Sequence, residues 1–130
     1  MSHSADKLLE RYIELHNLAI VCDDRRAVEA LLADGFACEV EGPALSSLRR
    51  QAIVSSFQRQ EVVLWRIGRI GDDVAFASYA WRSSPRIGGH IRIQKEGERI
   101  GRLILRPGYS RIFSVLSCTQ ESAASNPFLR

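Results

Sequence analysis

Hydrophobic residues recur at helical spacing through the first sixty or so positions of this chain and at strand-like spacing afterwards. The spacing predicts helices over Lys7–Val21, Asp24–Ala33 and Ser47–Phe57, with a strand, Gly35–Pro43, running into a loop between the second and third. Strands follow at Glu61–Ile70, Val74–Arg82, Ile87–Gln94 and Arg99–Arg106. Helices first and strands afterwards is the pattern of a segregated α+β domain. Three helices packed on one curved, mainly antiparallel sheet make a cone with a cavity inside.

Local signals set the expected boundaries. Leu8, Tyr12, Leu15 and His16 form one stripe of the first helix. Asp23 or Asp24 can cap the second helix by accepting from its free N–H groups, and Asp34-Gly35 can end it. Pro43 should break the strand, and Ser46 or Ser47 should cap the third helix, whose apolar positions are Leu48, Ala52, Ile53 and Phe57. Lys95-Glu96-Gly97-Glu98 reads as a hairpin turn, and Pro107-Gly108 as the stop of the closing strand. Tyr109–Leu116 is apolar enough to pack on the body, which puts a single domain at residues 1–116 and a loose polar tail at 117–130.

With 130 residues, the chain suits one core rather than two. No apolar run approaches the ~20 residues that span a bilayer. The polar start, Met1-Ser2-His3-Ser4-Ala5-Asp6, has no secretory pattern, so the expected location is cytoplasmic. Cys22, Cys38 and Cys118 are too scattered for a disulfide framework or a zinc site and read as small buried hydrophobes. No metal or cofactor is expected from the motifs. Residues 1–58 carry six basic and nine acidic groups, and residues 59–130 carry twelve and six. The arginines of the basic half alternate along strands instead of clustering, which suits a solvated sheet face better than a nucleic-acid surface.

Several stretches resemble a known group. Arg11-Tyr12, Val28-Glu29-Ala30-Leu31-Leu32-Ala33-Asp34-Gly35, Glu39-Val40-Glu41-Gly42-Pro43 and Ala52-Ile53-Val54-Ser55-Ser56-Phe57 carry the likeness in the first half. Asp72-Asp73-Val74-Ala75-Phe76-Ala77, His90-Ile91-Arg92-Ile93 and Glu98-Arg99-Ile100 carry it in the second. Together they make Leu8–Leu105 similar to the nuclear-transport-factor-2-like superfamily, which includes ketosteroid isomerases and SnoaL-like polyketide cyclases. The resemblance implies a cone-shaped fold, a pocket for a small apolar or carbonyl-bearing molecule, and a homodimer. It implies that Tyr12 is an oxyanion donor. The two acids of ketosteroid isomerase chemistry fall on Gly42 and Gly89, which argues against that reaction.

The candidate residues follow from this. Tyr12 and His16 lie one helical turn apart and are either core residues or a donor and base facing the cavity. Glu39 and Glu41 share a strand face, and Glu41 completes the candidate catalytic set if that face is internal. Trp65, Tyr79 and Trp81 are candidates for pocket wall or dimer face. His90 and Arg92 alternate with Ile91 and Ile93, and are either an outer polar row or an inward one that reads an anionic or carbonyl group. The expected function is binding of a small, largely apolar molecule, with proton transfer, isomerisation, cyclisation or hydration as candidate chemistry. The alternative is a non-catalytic dimeric module whose cone is filled by its own side chains.

Overall fold

The computed structural model describes residues 3–42 and 45–109. The expectations for Pro43, for a packed segment after Tyr109 and for a tail at 117–130 lie outside the described residues. The elements are α1 (Ala5–Cys22), α2 (Arg26–Glu29), β1 (Leu32–Val40), α3 (Ser47–Arg59), β2 (Val62–Ile70), β3 (Val74–Trp81), β4 (Ile87–Glu96) and β5 (Arg99–Tyr109). The sheet order is β1-β5-β4-β3-β2. β1 runs parallel to β5, and the other neighbouring pairs are antiparallel.

The first helix folds as its pattern predicts. Leu8, Leu9, Tyr12, Ile13, His16 and Ala19 are buried along one face, turned to the sheet. Asp23 ends α1 in the left-handed region (φ 53°), and its N–H donates to the Ala19 carbonyl. Asp24 serves α2, where its carboxylate accepts from the Arg26 N–H at 3.1 Å. Asn17 joins α1 to the sheet edge: its amide donates to the Val62 carbonyl at 2.9 Å and accepts from the Val62 N–H at 2.8 Å. The edge strand β2 thereby gains one strand-like pair of bonds from a helix side chain.

Two boundaries differ from the sequence reading. α2 stops at Glu29, not Ala33, because the backbone beyond it is taken up by β5. The Ile100 N–H donates to the Leu31 carbonyl at 2.8 Å, and Leu32 stands opposite Ile100. Gly35 therefore lies inside β1, in the irregular stretch between Leu32 and Ala37, and caps no helix. Pro107-Gly108 does not stop β5, which pairs with β4 as far as Ile87 opposite Tyr109. The backbone groups of Leu105 face β1, since its carbonyl accepts from Glu41. By alternation Pro107 turns the same way, beyond the end of β1, where no N–H is needed.

Burial separates the two sheet faces. Ala75, Ala77 and Tyr79 of β3, Ile91 and Ile93 of β4, and Leu103 and Leu105 of β5 are buried beneath the helices. Cys38 and Val40 of β1 join them. The alternating residues, among them Glu39, Phe76, His90, Arg92, Arg102 and Arg106, point to the other face. β2 carries a bulge between Trp65 and Gly68, with Arg66 at φ 55°. The Phe76 ring lies over Gly68, where an added Cβ would stand 2.7 Å from it. Cys22 is exposed, contrary to the expectation of a buried thiol, because it lies in the last turn of α1.

Candidate functional site

The third helix determines the shape of the inner face. The Ser46 hydroxyl caps it, accepting from the Arg49 N–H at 3.2 Å. Its core contact is narrow: Phe57 is its one buried residue, at 1% exposure, while Leu48 is 79% exposed. At the other end Arg50 donates to the carbonyls of Val40, Leu45 (3.2 Å) and Gly42 (3.1 Å). Along its length α3 has two lateral stripes, each at i, i+3, i+4, i+7 spacing. Gln51, Val54, Ser55 and Gln58 face one side, and Arg49, Ala52, Ile53 and Ser56 the other.

Each stripe walls a cleft. On the β1 side Gln51, Val54, Ser55 and Gln58 face Cys38, Glu39, Val40 and Glu41 across about 660 Å³. Val54, Val40 and Cys38 give this cleft an apolar floor, and amides, a hydroxyl and the carboxylates form its rim. On the far side Ala52, Ile53 and Ser56 face Tyr79, Trp81, Ile87 and Pro107 across about 400 Å³.

Aromatic rings fill the interior beneath α3. His16 lies between Tyr12 (ring centroids 6.1 Å) and Phe57 (4.9 Å), and Phe57 contacts both Tyr79 (5.7 Å) and Trp81 (6.2 Å). His16 Nε2 is 2.8 Å from the Gln60 carbonyl. A carbonyl can only accept, so Nε2 carries the proton and Nδ1 of the neutral ring is the lone-pair nitrogen. That Nδ1 is buried and has no hydrogen-bond partner among the described residues. Burial holds the His16 pKa below its ordinary 6.5, against the opposing pull of the Gln60 carbonyl.

The neighbouring acids are shifted toward neutrality. Burial, with the Cys38 thiol adding to it, pushes the Tyr12 phenol up to about 12, while the positive charge of Arg25 pulls the other way. Burial and the same thiol also raise Tyr79. Cys38 is itself pushed up to about 11, by burial first and then by Glu39. At neutral pH the interior thus holds two phenols and a thiol, all protonated, beside a neutral imidazole with a vacant acceptor. Cys38 touches both sets: it lines the β1-side cleft and packs on the core that contains Tyr12 and Tyr79.

The structure sorts the sequence candidates into two groups. Tyr12, His16, Tyr79 and Trp81 come together on the inner face. Glu41 does not join them: it is exposed, and its carboxylate is 3.6 Å from Arg92 on the other face. Glu39 is turned the same way and pairs with Arg102, Nε to Oε2 at 2.7 Å. Alternation from buried Val40 requires this orientation of both carboxylates. Arg92 and His90 lie in the outer row with Phe76, Ile104 and Arg106 around a shallow hollow of about 240 Å³. Trp65, opposite Ser78, also lies on that face. Sequence reasoning missed Cys38, Arg50 and Gln51 as cleft residues. The signal for Cys38 was available, because it alternates with Glu39 and Glu41. Among the described residues no three metal-ligating side chains converge, and no helix is long and apolar enough to cross a membrane.

The sequence matches no protein-family model and no curated protein. Solved structures do match the fold. A nuclear-transport-factor-2-like protein of unknown function from Cytophaga hutchinsonii is 12% identical, with 85% of this chain and 93% of that one covered and a TM-score of 0.54. A nuclear-transport-factor-2-like protein from Anabaena variabilis is also 12% identical, over 85% of this chain and 94% of its own, at TM-score 0.50. A de novo designed protein of this fold is 14% identical over 96% and 99%, at TM-score 0.51. The chain therefore has the nuclear-transport-factor-2-like fold, the architecture its sequence resembles.

Proposed function

We propose that this protein binds a small, largely apolar molecule in the cleft between β1 and α3. The observation that carries the reading is the hollow itself, about 660 Å³ with an apolar floor and a rim that combines the Gln51 and Gln58 amides and the Ser55 hydroxyl with the charged residues Glu39, Glu41 and Arg50. A few polar groups around an apolar cavity of that size suit a small organic ligand. In this reading Tyr12 and Tyr79 act as hydrogen-bond donors toward a carbonyl that reaches past Cys38, because both phenols keep their protons at neutral pH. Among the described residues His16 is the one buried base that could accept a proton there, through Nδ1. Any catalysis would be proton transfer of the kind used in isomerisation, cyclisation or hydration, with no carboxylate from Glu41. The test is native mass spectrometry of the freshly purified protein and of Ser55→Trp, which fills the cleft from α3. A small-molecule adduct in the first and none in the second supports the reading. Protein free of adduct in both, together with no binding of apolar carbonyl compounds, would count against it.

A second reading is favoured by the aromatic stack of His16, Phe57, Tyr79 and Trp81, which occupies much of the interior. In it the protein is a homodimeric interaction module, joined through the outer sheet face where Phe76 is 40% and Ile70 67% exposed. The same spectra test this reading: it requires a dimer that Phe76→Glu converts to monomer.

A further inference from the structure

We propose that the ligand of the near cleft, between β1 and α3, is a short apolar peptide that lies along β1 as a sixth strand beside the five of the sheet. The inference rests on the binding role proposed for that cleft and specifies the chemistry that fills it. β1 is an edge strand, with β5 on one side only. The Glu41 N–H donates to the Leu105 carbonyl on β5 at 2.8 Å. Backbone groups alternate in direction along a strand, so those of Glu39 turn to β5 as well, and those of Cys38 and Val40 turn to the open edge. That edge borders the cleft, since Cys38 and Val40 line it and Arg50 reaches the Val40 carbonyl from α3. Among the described residues no other group is seated there. The Cys38 N–H, the Cys38 carbonyl and the Val40 N–H are left as two donors and an acceptor.

The opposite edge of the sheet is closed. On β2, Asn17 holds both backbone groups of Val62, and a bulge between Trp65 and Gly68 interrupts the strand. Devices of this kind keep an edge from pairing with another chain. From Cys38 to Val40, β1 stays in register with β5, and its one cover is Arg50 at the last carbonyl.

The walls set the sequence preference. An added strand places successive side chains on opposite faces. Those beside Cys38 and Val40 enter the cleft with Val54, where apolar groups fit, and the one beside Glu39 points to the outer face, where a polar group fits. Gln51, Ser55 and Gln58 form the facing wall and can both give and accept hydrogen bonds, as the second edge of a peptide requires. In strand addition of this kind main-chain bonds supply affinity, and pockets for alternate side chains supply specificity.

The probe is acetyl-Val-Ser-Val amide, titrated into isotope-labelled protein and followed by NMR. Dibutyl ketone, an apolar carbonyl compound without an amide, is titrated separately. The expected result is saturable binding of the peptide, with hydrogen exchange slowed at the Cys38 and Val40 amides and unchanged at Glu39, whose N–H already faces β5. The peptide nitrogens of serine and of the second valine are then methylated one at a time. Only one of two adjacent N–H groups can face β1, so one methylation should weaken binding about tenfold and the other leave it nearly unchanged. Equal effects of the two methylations, or unchanged exchange at Cys38 and Val40 on binding, would overturn strand addition. Binding of the ketone but not of the peptide would do the same and leave the near-cleft role standing. Exchange at Cys38 and Val40 that is already slow in the free protein and quickens on dilution would also overturn it, by showing a second copy on the edge. Failure of both probes to bind would overturn both readings.

Discussion

Phe57 meets Tyr79 edge-on, the two rings at 90° with centroids 5.7 Å apart. This contact holds the C-terminal end of a helix that buries nothing else completely. Phe57→Ala should therefore cost about 3–5 kcal/mol of unfolding free energy, as large buried aromatics do. It should also speed hydrogen exchange across α3 more than across α1. Denaturant unfolding and exchange mass spectrometry measure the two effects. Equal exchange changes in both helices would show that α3 is held by more than this residue.

His16 makes stability depend on acid. Its folded pKa lies below the ordinary 6.5, so the unfolded chain binds a proton more readily than the folded one. The contribution is complete above 6.5 and is lost as pH falls from 6.5 toward the depressed folded value. Thermal unfolding followed across that range should show Tm falling with acidification, and His16→Phe should flatten this part of the profile. An unchanged slope in the variant would assign the acid sensitivity to other groups.

Asn17 completes the pairing of Val62 at the sheet edge. Asn17→Ala leaves an N–H and a carbonyl of Val62 without their partners, and a loss of about 1–3 kcal/mol is expected. Asn17→Asp keeps the acceptor and loses the donor, so it should fall between wild type and alanine in denaturant unfolding. An aspartate variant less stable than the alanine variant would mean that the carboxylate's burial outweighs its retained bond.

Gly88 leaves no room for a side chain where β4 pairs with β3. A Cβ there would overlap the Tyr79 carbonyl oxygen, and backbone cannot move aside as a flexible side chain can. Gly88→Ala should cost at least ~1–3 kcal/mol through forced backbone shifts. Gly97→Ala is the comparison. It meets no steric neighbour but sits at φ 64°, so its cost comes from conformation alone. Unfolding curves of the two should place Gly88→Ala lower.

Cys38 and Cys22 should separate by reactivity. Cys38 is partly buried with its pKa pushed to about 11, whereas Cys22 is exposed. With Cys118 replaced by serine, a thiol reagent at neutral pH should modify Cys22 promptly and Cys38 only slowly, because the thiolate is the reacting species. A ligand in the near cleft should slow Cys38 further and leave Cys22 unaffected. Peptide mapping after timed labelling distinguishes the two.

Much of this arrangement could be read before any coordinates. The stripe of Leu8, Tyr12 and His16, the Ser46 cap and the hairpin at Gly97 are local signals, and local chemistry decided them. The end of α2 was not readable, because Leu31-Leu32-Ala33 fits a helix as well as a strand and only pairing with Ile100 settles it. Pro107 misled for a related reason: its missing N–H matters only if β1 extends alongside it. The inward face of β3 was undecided in the sequence, where apolar residues occupy both sides. Phe57 decides it by packing on Tyr79, and that in turn sends Glu41 outward. Candidate residues near one another on a helix were easy to group; those on different strands needed the register.

The parallel pairing of β1 with β5 also has a consequence for how the protein is made. Cys38 stands opposite Leu103, and Val40 opposite Leu105. As the chain leaves the ribosome, β1 is exposed long before its hydrogen-bonding neighbour exists, and so are the half-buried faces of α3. The sheet can close only when almost the whole described chain has been synthesised, because contacts so distant in sequence carry their loop-closure cost in advance. During that interval a bare strand edge waits for a partner, and crowded or rapid expression would favour its pairing with another chain.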